Sequence, residues 1–93
     1  MRTIKQSSQF KRDLKREFKG QYRQSLTKDF IAIVEALAQD QPLPEKYRDH
    51  ALIGNLKDCR DCHIKPDLIL IYRKSDESSL ELVRLGTHSE LGL

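Results

Sequence analysis

The chain has 93 residues and a mass of 10.9 kDa, which suits one hydrophobic core and excludes two independent domains. Charged residues make up 33% and hydrophobic residues 38%, and the longest apolar run, 68–72, is far shorter than the roughly 20 residues that a membrane-spanning helix needs. No secretory signal follows Met1, so we expect a single cytoplasmic domain over residues 1–93 that contacts no membrane.

The charge is unevenly distributed along the chain. Residues 1–28 carry nine Lys or Arg against two acidic residues, a net charge of +7, whereas residues 29–93 carry eight against twelve, a net charge of −4. A basic segment on a small domain favours a polyanionic partner, RNA or DNA, or an acidic protein. A solvated helix face without a partner is the alternative that the charge alone leaves open.

The first predicted element, after a weak strand pattern at residues 1–6, is a short basic helix. A hydroxyl of Ser7 or Ser8 can cap its N-terminus, and Gly20 is typical of a helix C-terminus. Its apolar stripe recurs at i, i+4 and i+8 and consists of Phe10, Leu14 and Phe18. The remaining arc is basic and consists of Lys11, Arg12, Lys15, Arg16 and Lys19.

A second helix is predicted over residues 21–39, and the prolines at positions 42 and 44 prevent it from continuing. The predicted elements that follow are strands at 52–56, 59–65, 68–73 and 80–85, a turn at 74–78 and a polar tail at 86–90. The run 68–73 is largely apolar, which predicts a central strand covered on both faces. This order predicts an α+β fold with two N-terminal helices on one face of an antiparallel sheet.

The segment from Cys59 to His63 spells Cys-x-x-Cys-His, the motif of covalent haem attachment. Haem is disfavoured because that attachment is an exported process and Met1 is the only methionine. A zinc site of both cysteines and two histidines is disfavoured because no turn former separates Cys59 from Cys62. In a strand these cysteines lie about 10 Å apart on opposite faces, where they share neither a metal nor a disulfide. We therefore expect reduced, packed thiols, with no metal and no cofactor.

Three histidines and one aspartate in the second half form a candidate catalytic set. They are His50, His63, Asp67 and His88, and the cations that flank them are Arg60, Arg73 and Arg84. Strand ends that are distant in sequence can converge along one edge of an antiparallel sheet. Histidine suits both proton transfers of RNA cleavage by a 2′-hydroxyl, which are removal of its proton and protonation of the 5′-oxygen. The set predicts metal-free RNA cleavage, and structural or merely exposed histidines are the alternative.

A set of short motifs extends in a fixed order along the whole chain. They are Ser8–Lys11, Asp13, Leu43–Pro44, Tyr47–His50, Leu52–Gly54, Arg60–Asp61, His63, Pro66–Asp67, Leu70–Tyr72, Arg84 and Gly86–Leu91. In this order and spacing they resemble the YafQ branch of the RelE superfamily, bacterial toxins of toxin–antitoxin pairs. The resemblance implies a microbial ribonuclease-like fold, with two helices packed on a curved antiparallel sheet. It also implies ribosome-dependent cleavage of mRNA codons in the A site by 2′-hydroxyl attack, without a metal.

The resemblance also implies roles for individual residues. The positions that match the catalytic set of the family are His50, His63, Asp67 and His88. His88 or His50 would be the general base, and His63 with Asp67 would be the acid or the phosphate-orienting pair. RNA contacts would come from the basic first helix and from Arg60 and Arg84. The implied partners are a cognate antitoxin, the 70S ribosome and mRNA, with DNA bound only indirectly through the antitoxin.

The chain departs from the family pattern where aromatic residues are usual. Leu68 stands where a Trp is common, Gly92 stands where a Phe is common, and Cys59 and Cys62 replace Tyr and Ala. A changed codon preference or rate would follow from the lost stacking surfaces. Two alternative functions remain, a ParE-like toxin that acts on DNA gyrase and an RNA-binding module without catalysis. The three histidines together with Asp67 favour the nuclease.

Overall fold

The computed structural model describes residues 1–52, 54 and 58–93. Its helices are α1 (Ser8–Phe18), α2 (Arg23–Thr27), α3 (Asp29–Ala38) and α4 (His88–Leu91), with a 3₁₀ turn at Glu45–Tyr47. Its strands are β1 (Thr3–Gln6), β2 (His50–Ala51), β3 (Arg60–Lys65), β4 (Leu68–Arg73) and β5 (Ser79–Gly86). The strand predicted at 52–56 lies mostly outside the described residues. None of the described helices is long and apolar enough to cross a membrane.

The strands form one five-stranded sheet in the order β1-β5-β4-β3-β2. Strands β3, β4 and β5 pair antiparallel in succession, as predicted, and β2, which lies before the strand predicted at 52–56, pairs antiparallel with β3. The edge strand β1 instead runs parallel to β5, with Thr3 opposite Ser79, so the sheet is mixed rather than wholly antiparallel. The residues of β1 could not indicate this direction, because its side chains are all exposed and its partner lies at the far end of the chain. The α+β fold with its N-terminal helices is confirmed.

The helix predicted over residues 21–39 is in fact two helices, α2 and α3, which meet at Lys28. Lys28 leaves the helical region, with φ −127° and ψ −77°, and Asp29 begins α3. The Asp29 carboxylate lies 2.8 Å from Nζ of Lys65 on β3, and an acidic residue in the first turn of a helix is favoured by the helix dipole. A partner on a distant strand therefore supports the new helix start, which the continuous apolar period could not reveal.

The predicted polar tail contains the short helix α4. The Thr87 hydroxyl accepts a hydrogen bond from the Glu90 backbone N–H at 3.2 Å, and the Glu90 carboxylate accepts one from the Thr87 N–H at 2.9 Å. This reciprocal pair is a capping box, and Gly92 ends the helix in the left-handed region at φ 71°. The pattern Thr-x-x-Glu-x-Gly is a sequence signature of such a turn, so the residues alone contained the information for α4.

Apolar side chains pack on both faces of the sheet. The main core lies between the sheet and the helices, and its members include Phe10, Leu26, Ile33, Leu37, Leu70, Tyr72 and Leu82. A smaller cluster on the opposite face contains Cys59, Ile69 and Ile71, with Leu52, Val83 and Leu91 packed against it. Residues 68–72 are buried throughout, which confirms the central strand. Cys59 and Cys62 are both free and buried in different clusters, so they lie on opposite faces, as predicted.

A buried carboxylate, in addition to apolar contacts, joins α1 to β5. Phe18, predicted in the apolar stripe, is 41% exposed, whereas Asp13 is 0% exposed. Asp13 accepts hydrogen bonds from Arg84 Nε at 2.8 Å, from the Leu85 backbone N–H at 3.1 Å and from Arg16 at 3.1 Å. Burial by itself would raise the pKa of Asp13, but the hydrogen bonds from Arg84 and Leu85 outweigh it and hold this pKa below its ordinary value.

Candidate active site

The three histidines form a row across neighbouring elements. His50 begins β2, His63 lies within β3, and His88 begins α4 directly beyond β5. Strand register places His50 opposite Asp61 and His63 opposite Ile69. The ring centroids of His50 and His63 are 6.1 Å apart, and those of His63 and His88 are 5.5 Å apart. His63 is therefore the middle ring of the row.

Asp67 holds His88 in one orientation. This aspartate follows β3 in the turn to β4, and its Oδ1 accepts hydrogen bonds from the His88 backbone N–H at 3.0 Å and from the ring Nδ1 at 2.6 Å. These two hydrogen bonds lower the pKa of Asp67, so the carboxylate is ionised and the proton of the neutral ring resides on Nδ1. Nε2 of His88 then carries the lone pair. Asp67 thus pairs with His88 and not with His63, which corrects the pairing implied by the resemblance.

His50 is held at both ring nitrogens. Nδ1 lies 2.8 Å from the carbonyl oxygen of Arg48 and donates to it, because a carbonyl can only accept. Nε2 lies 3.0 Å from Oδ1 of Asp61, which is buried on β3. Burial raises the pKa of Asp61, and the neighbouring His50 opposes that shift. Oδ1 of Asp61 is buried and has no hydrogen-bond partner among the residues that the structure describes, so its contact with Nε2 is a close ionic approach rather than a hydrogen bond.

Asp61 is a site residue that the sequence analysis did not assign to catalysis. It stands two residues before His63 on β3, and alternate residues of a strand share a face. This spacing could have predicted that Asp61 lies on the same face as His63. It could not predict that Asp61 is buried, because that depends on the histidine that lies opposite it on the neighbouring strand.

His63 is half-buried in the middle of the row. Burial lowers the pKa of His63, and this effect outweighs the opposing charge of Asp61. The ring is therefore neutral near pH 7. Its Nδ1 is buried and makes no hydrogen bond to any residue that the structure describes.

The segment before His50 is anchored by Asp49. Its Oδ1 accepts hydrogen bonds from the buried Tyr72 hydroxyl at 2.6 Å and from Arg60 Nε at 3.1 Å. The residue before it, Arg48, has a left-handed backbone conformation with φ 50°, which turns the chain sharply into β2. The anchor and the turn together set the position of His50 on the sheet edge.

Arg16 of α1 ties α4 to the body of the protein. Its guanidinium lies 3.0 Å from the Glu90 carboxylate and donates to the Leu85 carbonyl at 2.9 Å. It passes directly over Gly86, where an added Cβ would lie only 2.8 Å from the guanidinium. The absence of a side chain at Gly86 thus allows α1 to brace the short helix that begins with His88.

A family model described as "Bacterial toxin of type II toxin-antitoxin system, YafQ" matches residues 2–92. The chain belongs to the YafQ toxin family. The mRNA interferase toxin YafQ of Escherichia coli is 37% identical over 90 residues, which cover 97% of this chain and 95% of the relative. The family resemblance noted in the sequence is confirmed.

Solved structures of YafQ toxins share the fold over nearly the whole chain. A metal-bound toxin from Helicobacter pylori is 51% identical, with a TM-score of 0.87 over 98% of this chain and 99% of that one. YafQ in the E. coli DinJ–YafQ complex is 36% identical, with a TM-score of 0.81 over 98% of both chains. These superpositions confirm the toxin fold independently of the family model.

The described residues of this YafQ family member contain no preformed metal site. Among residues 1–52, 54 and 58–93, no three His, Cys, Asp or Glu side chains are arranged to hold a metal ion. Nδ1 of His88 faces Asp67, and Nδ1 of His50 faces the Arg48 carbonyl, so protein partners hold the Nδ1 atoms of both rings.

The seven cations predicted to bind RNA fall into two groups. Four side chains are exposed on α1 and at its C-cap, namely Lys11, Arg12, Lys15 and Lys19. The other three are Arg16, Arg60 and Arg84, and each is paired with a carboxylate within the protein. The exposed four offer charge to a polyanion directly, whereas the paired three also hold the fold together.

Proposed function

We propose that this YafQ family member is a type II toxin that cleaves mRNA by attack of a 2′-hydroxyl on the neighbouring phosphodiester. The observation that carries the proposal is the Asp67–His88 pair, set at one end of a histidine row whose other end holds the His50–Asp61 pair. A general base and a general acid at opposite ends of one row match the two proton transfers of this reaction. The E. coli relatives named mRNA interferase toxins support the same assignment.

His88 is the general base in this mechanism. Its Nε2 takes the proton of the 2′-hydroxyl, and the ionised Asp67 stabilises the imidazolium that forms. The 2′-oxygen then bonds to phosphorus while the bond from phosphorus to the 5′-oxygen breaks. The products are a 2′,3′-cyclic phosphate on the upstream fragment and a 5′-hydroxyl on the downstream fragment.

His50 is the general acid, and His63 orients the phosphate. In this role His50, which lies 3.0 Å from the Asp61 carboxylate, donates a proton to the departing 5′-oxygen, which would otherwise leave as an alkoxide. The neutral His63 lies between the base and the acid, where its ring N–H can donate to a non-bridging oxygen. Negative charge that develops on the non-bridging phosphate oxygens is balanced by nearby cations. One of these cations is Arg48, which is exposed beside the row.

The same proposal includes the setting of the reaction. The exposed cations of α1 supply a surface for ribosomal RNA, and cleavage takes place on mRNA in the A site of the 70S ribosome in the cytoplasm. The E. coli complex of DinJ with YafQ supports a cognate antitoxin as the inhibitory partner. DNA would be contacted only through that antitoxin.

Mapping of mRNA ends tests the function. Purified protein added to a translating extract should produce codon-aligned cuts, detected by primer extension, and the downstream fragments should carry 5′-hydroxyl ends that accept label from polynucleotide kinase without prior phosphatase. The same mRNA without ribosomes is the control for ribosome dependence. Intact mRNA in the extract would reject the nuclease, and inhibition of DNA gyrase by the same preparation would favour the ParE-like alternative.

Glu90→Ala should lower kcat for mRNA cleavage by about 10-fold, because it removes both the capping box and the Arg16 contact that hold α4. Loss of the hydrogen bond from the Thr87 N–H to the Glu90 carboxylate should also reduce the free energy of unfolding by about 0.5 kcal/mol, the lower end of the range for a lost helix cap. Single-turnover cleavage and urea denaturation measure the two effects. Glu35→Ala, an exposed change on α3, is the matched control for kcat, and an unchanged kcat in Glu90→Ala would show that α4 positions His88 without this brace.

A further inference from the structure

A cavity of about 400 Å³ opens beside the histidine row. This volume lies within the usual range for sites that bind small ligands. Its lining includes six polar or aromatic side chains with a positive charge or a ring, namely Lys46, Tyr47, Arg48, His63, Lys65 and His88. The lining thus combines an aromatic ring, two rings of the proposed catalytic row and three basic residues, of which Lys65 is paired with the lining carboxylate of Asp29. An aromatic ring beside Lys46 and Arg48 is suited to a nucleotide.

The cavity lies at one end of the row. It is lined by His63 and His88, and His50 is not among its described lining residues. In the mechanism proposed above, on which this inference rests, His88 takes its proton from the nucleotide on the 5′ side of the scissile bond. That nucleotide must therefore lie at the His88 end, where the cavity is. We propose that the cavity binds the nucleotide immediately 5′ of the scissile phosphate, with its base stacked on the ring of Tyr47.

Tyr47 has the features of a stacking platform. It ends the 3₁₀ turn Glu45–Tyr47, and its ring is half-buried against the main core, which holds it in place. Lys46 Nζ lies over the same ring, 5.0 Å from its centroid, so a base that stacks on this face displaces that exposed side chain. A ring that is already immobilised loses little entropy when a base stacks on it, and stacking tolerates any base because every base has a π face.

The cations of the lining are placed for the phosphate of the same nucleotide. Lys65 is held at the cavity by Asp29, whose carboxylate lies 2.8 Å from its Nζ. Arg48 is exposed, and its own carbonyl accepts the hydrogen bond from His50, so it adjoins both the cavity and the row. A phosphate beside His63 would lie within the field of these charges.

Leu68 cannot provide the stacking surface instead. It stands where an aromatic residue is common in the family, but it is 0% exposed and belongs to the main core. The other described residues of the cavity lining include no second Phe, Tyr or Trp. A base in this cavity must therefore stack on Tyr47 or on a histidine of the row.

Nucleotide binding can be measured without the ribosome. Each of the four nucleoside 3′-monophosphates is titrated into the purified protein and followed by amide NMR shifts, with inorganic phosphate as the control. We expect shifts at residues 46–48, 64–65 and 88, equal affinity in Tyr47→Phe and roughly 10-fold weaker binding in Tyr47→Leu. Phe18→Leu, an exposed aromatic change on α1, should bind as the wild type does. Equal binding by Tyr47→Leu, or by inorganic phosphate, would overturn the stacking site.

Cleavage kinetics give a second readout. If stacking contributes equally to the ground state and the transition state, Tyr47→Leu should raise KM for mRNA about 10-fold while kcat stays unchanged. Thermal unfolding of each variant, with Tyr47→Phe as the conservative rescue, separates this effect from lost stability. A wild-type KM in Tyr47→Leu would refute the inference while mRNA cleavage stands. Binding of the 3′-monophosphates without any mRNA cleavage would instead refute the proposed function and leave the nucleotide site intact.

Discussion

His88→Asn should lower kcat for mRNA cleavage by about 100-fold to 10,000-fold, the range that a general base contributes. An asparagine amide can still donate a hydrogen bond to Asp67, but it cannot accept the proton of a 2′-hydroxyl. The variant therefore removes the chemistry while it keeps the contact at Oδ1 of Asp67. Single-turnover cleavage on programmed ribosomes measures the loss, and Ser89→Ala, an exposed neighbour in α4, is the matched control.

Asp67→Asn should cause a loss of similar size for a different reason. The carboxylate accepts hydrogen bonds from both the backbone and the ring of His88, and these select the tautomer that leaves Nε2 unprotonated. An amide at this position no longer enforces that tautomer. If His88→Asn and Asp67→Asn kept the wild-type kcat while His50→Asn lost it, the general base would be His50. Full activity in all three variants would refute a catalytic histidine row.

Asp13→Asn should lower the free energy of unfolding by about 3 kcal/mol, the scale for removing one partner of a buried ion pair. Asp13 is fully buried and accepts hydrogen bonds from Arg84, Arg16 and the Leu85 backbone. A neutral amide would leave Arg84 without its carboxylate partner, whereas Arg16 would keep Glu17 and Glu90. Urea denaturation at neutral pH measures the change, and Glu35→Gln, an exposed acidic residue of α3, is the matched control.

The Asp13 effect has a defined pH dependence. Because the folded-state pKa of Asp13 lies below its ordinary value of 3.8, its stabilising contribution is fully present above the unfolded pKa and is lost as the pH falls through the folded pKa. The difference in stability between wild type and Asp13→Asn should therefore be constant above about pH 5 and shrink below about pH 4. A difference that grew on acidification would contradict the ionised, hydrogen-bonded carboxylate described for this site.

Several features could be predicted from the residues because their causes are local. The run 68–72 is apolar at consecutive positions and contains β-branched residues, which favours a strand covered on both faces, and all five residues are buried. Ser7 caps α1 by accepting a hydrogen bond from the Phe10 N–H at 2.9 Å, as its position before the helix predicts. The separation of Cys59 and Cys62 onto opposite faces follows from the period of a strand.

The identity of the histidine and aspartate set could also be proposed from residue types, but its internal pairing could not. RNA cleavage requires a general acid and a general base, and histidine suits both roles. This requirement does not determine which carboxylate forms a hydrogen bond with which histidine ring. The resemblance implied that Asp67 pairs with His63, four residues earlier, whereas the folded chain brings Asp67 to His88, 21 residues later. Asp61 gained its partner, His50, only through the pairing of β2 with β3.

What the residues could not decide depends on contacts between distant parts of the chain. The parallel direction of β1 is set by its pairing with β5 at the other end of the sequence. In the sequence Asp13 is an ordinary acidic residue of a basic helix, but in the structure it is buried and bonded to Arg84 of β5. Arg16 was predicted to bind RNA, but its guanidinium crosses over Gly86 and pairs with Glu90. Local periodicity specifies which faces are apolar, whereas the burial of a charge depends on its partner, and only tertiary structure brings the partners together.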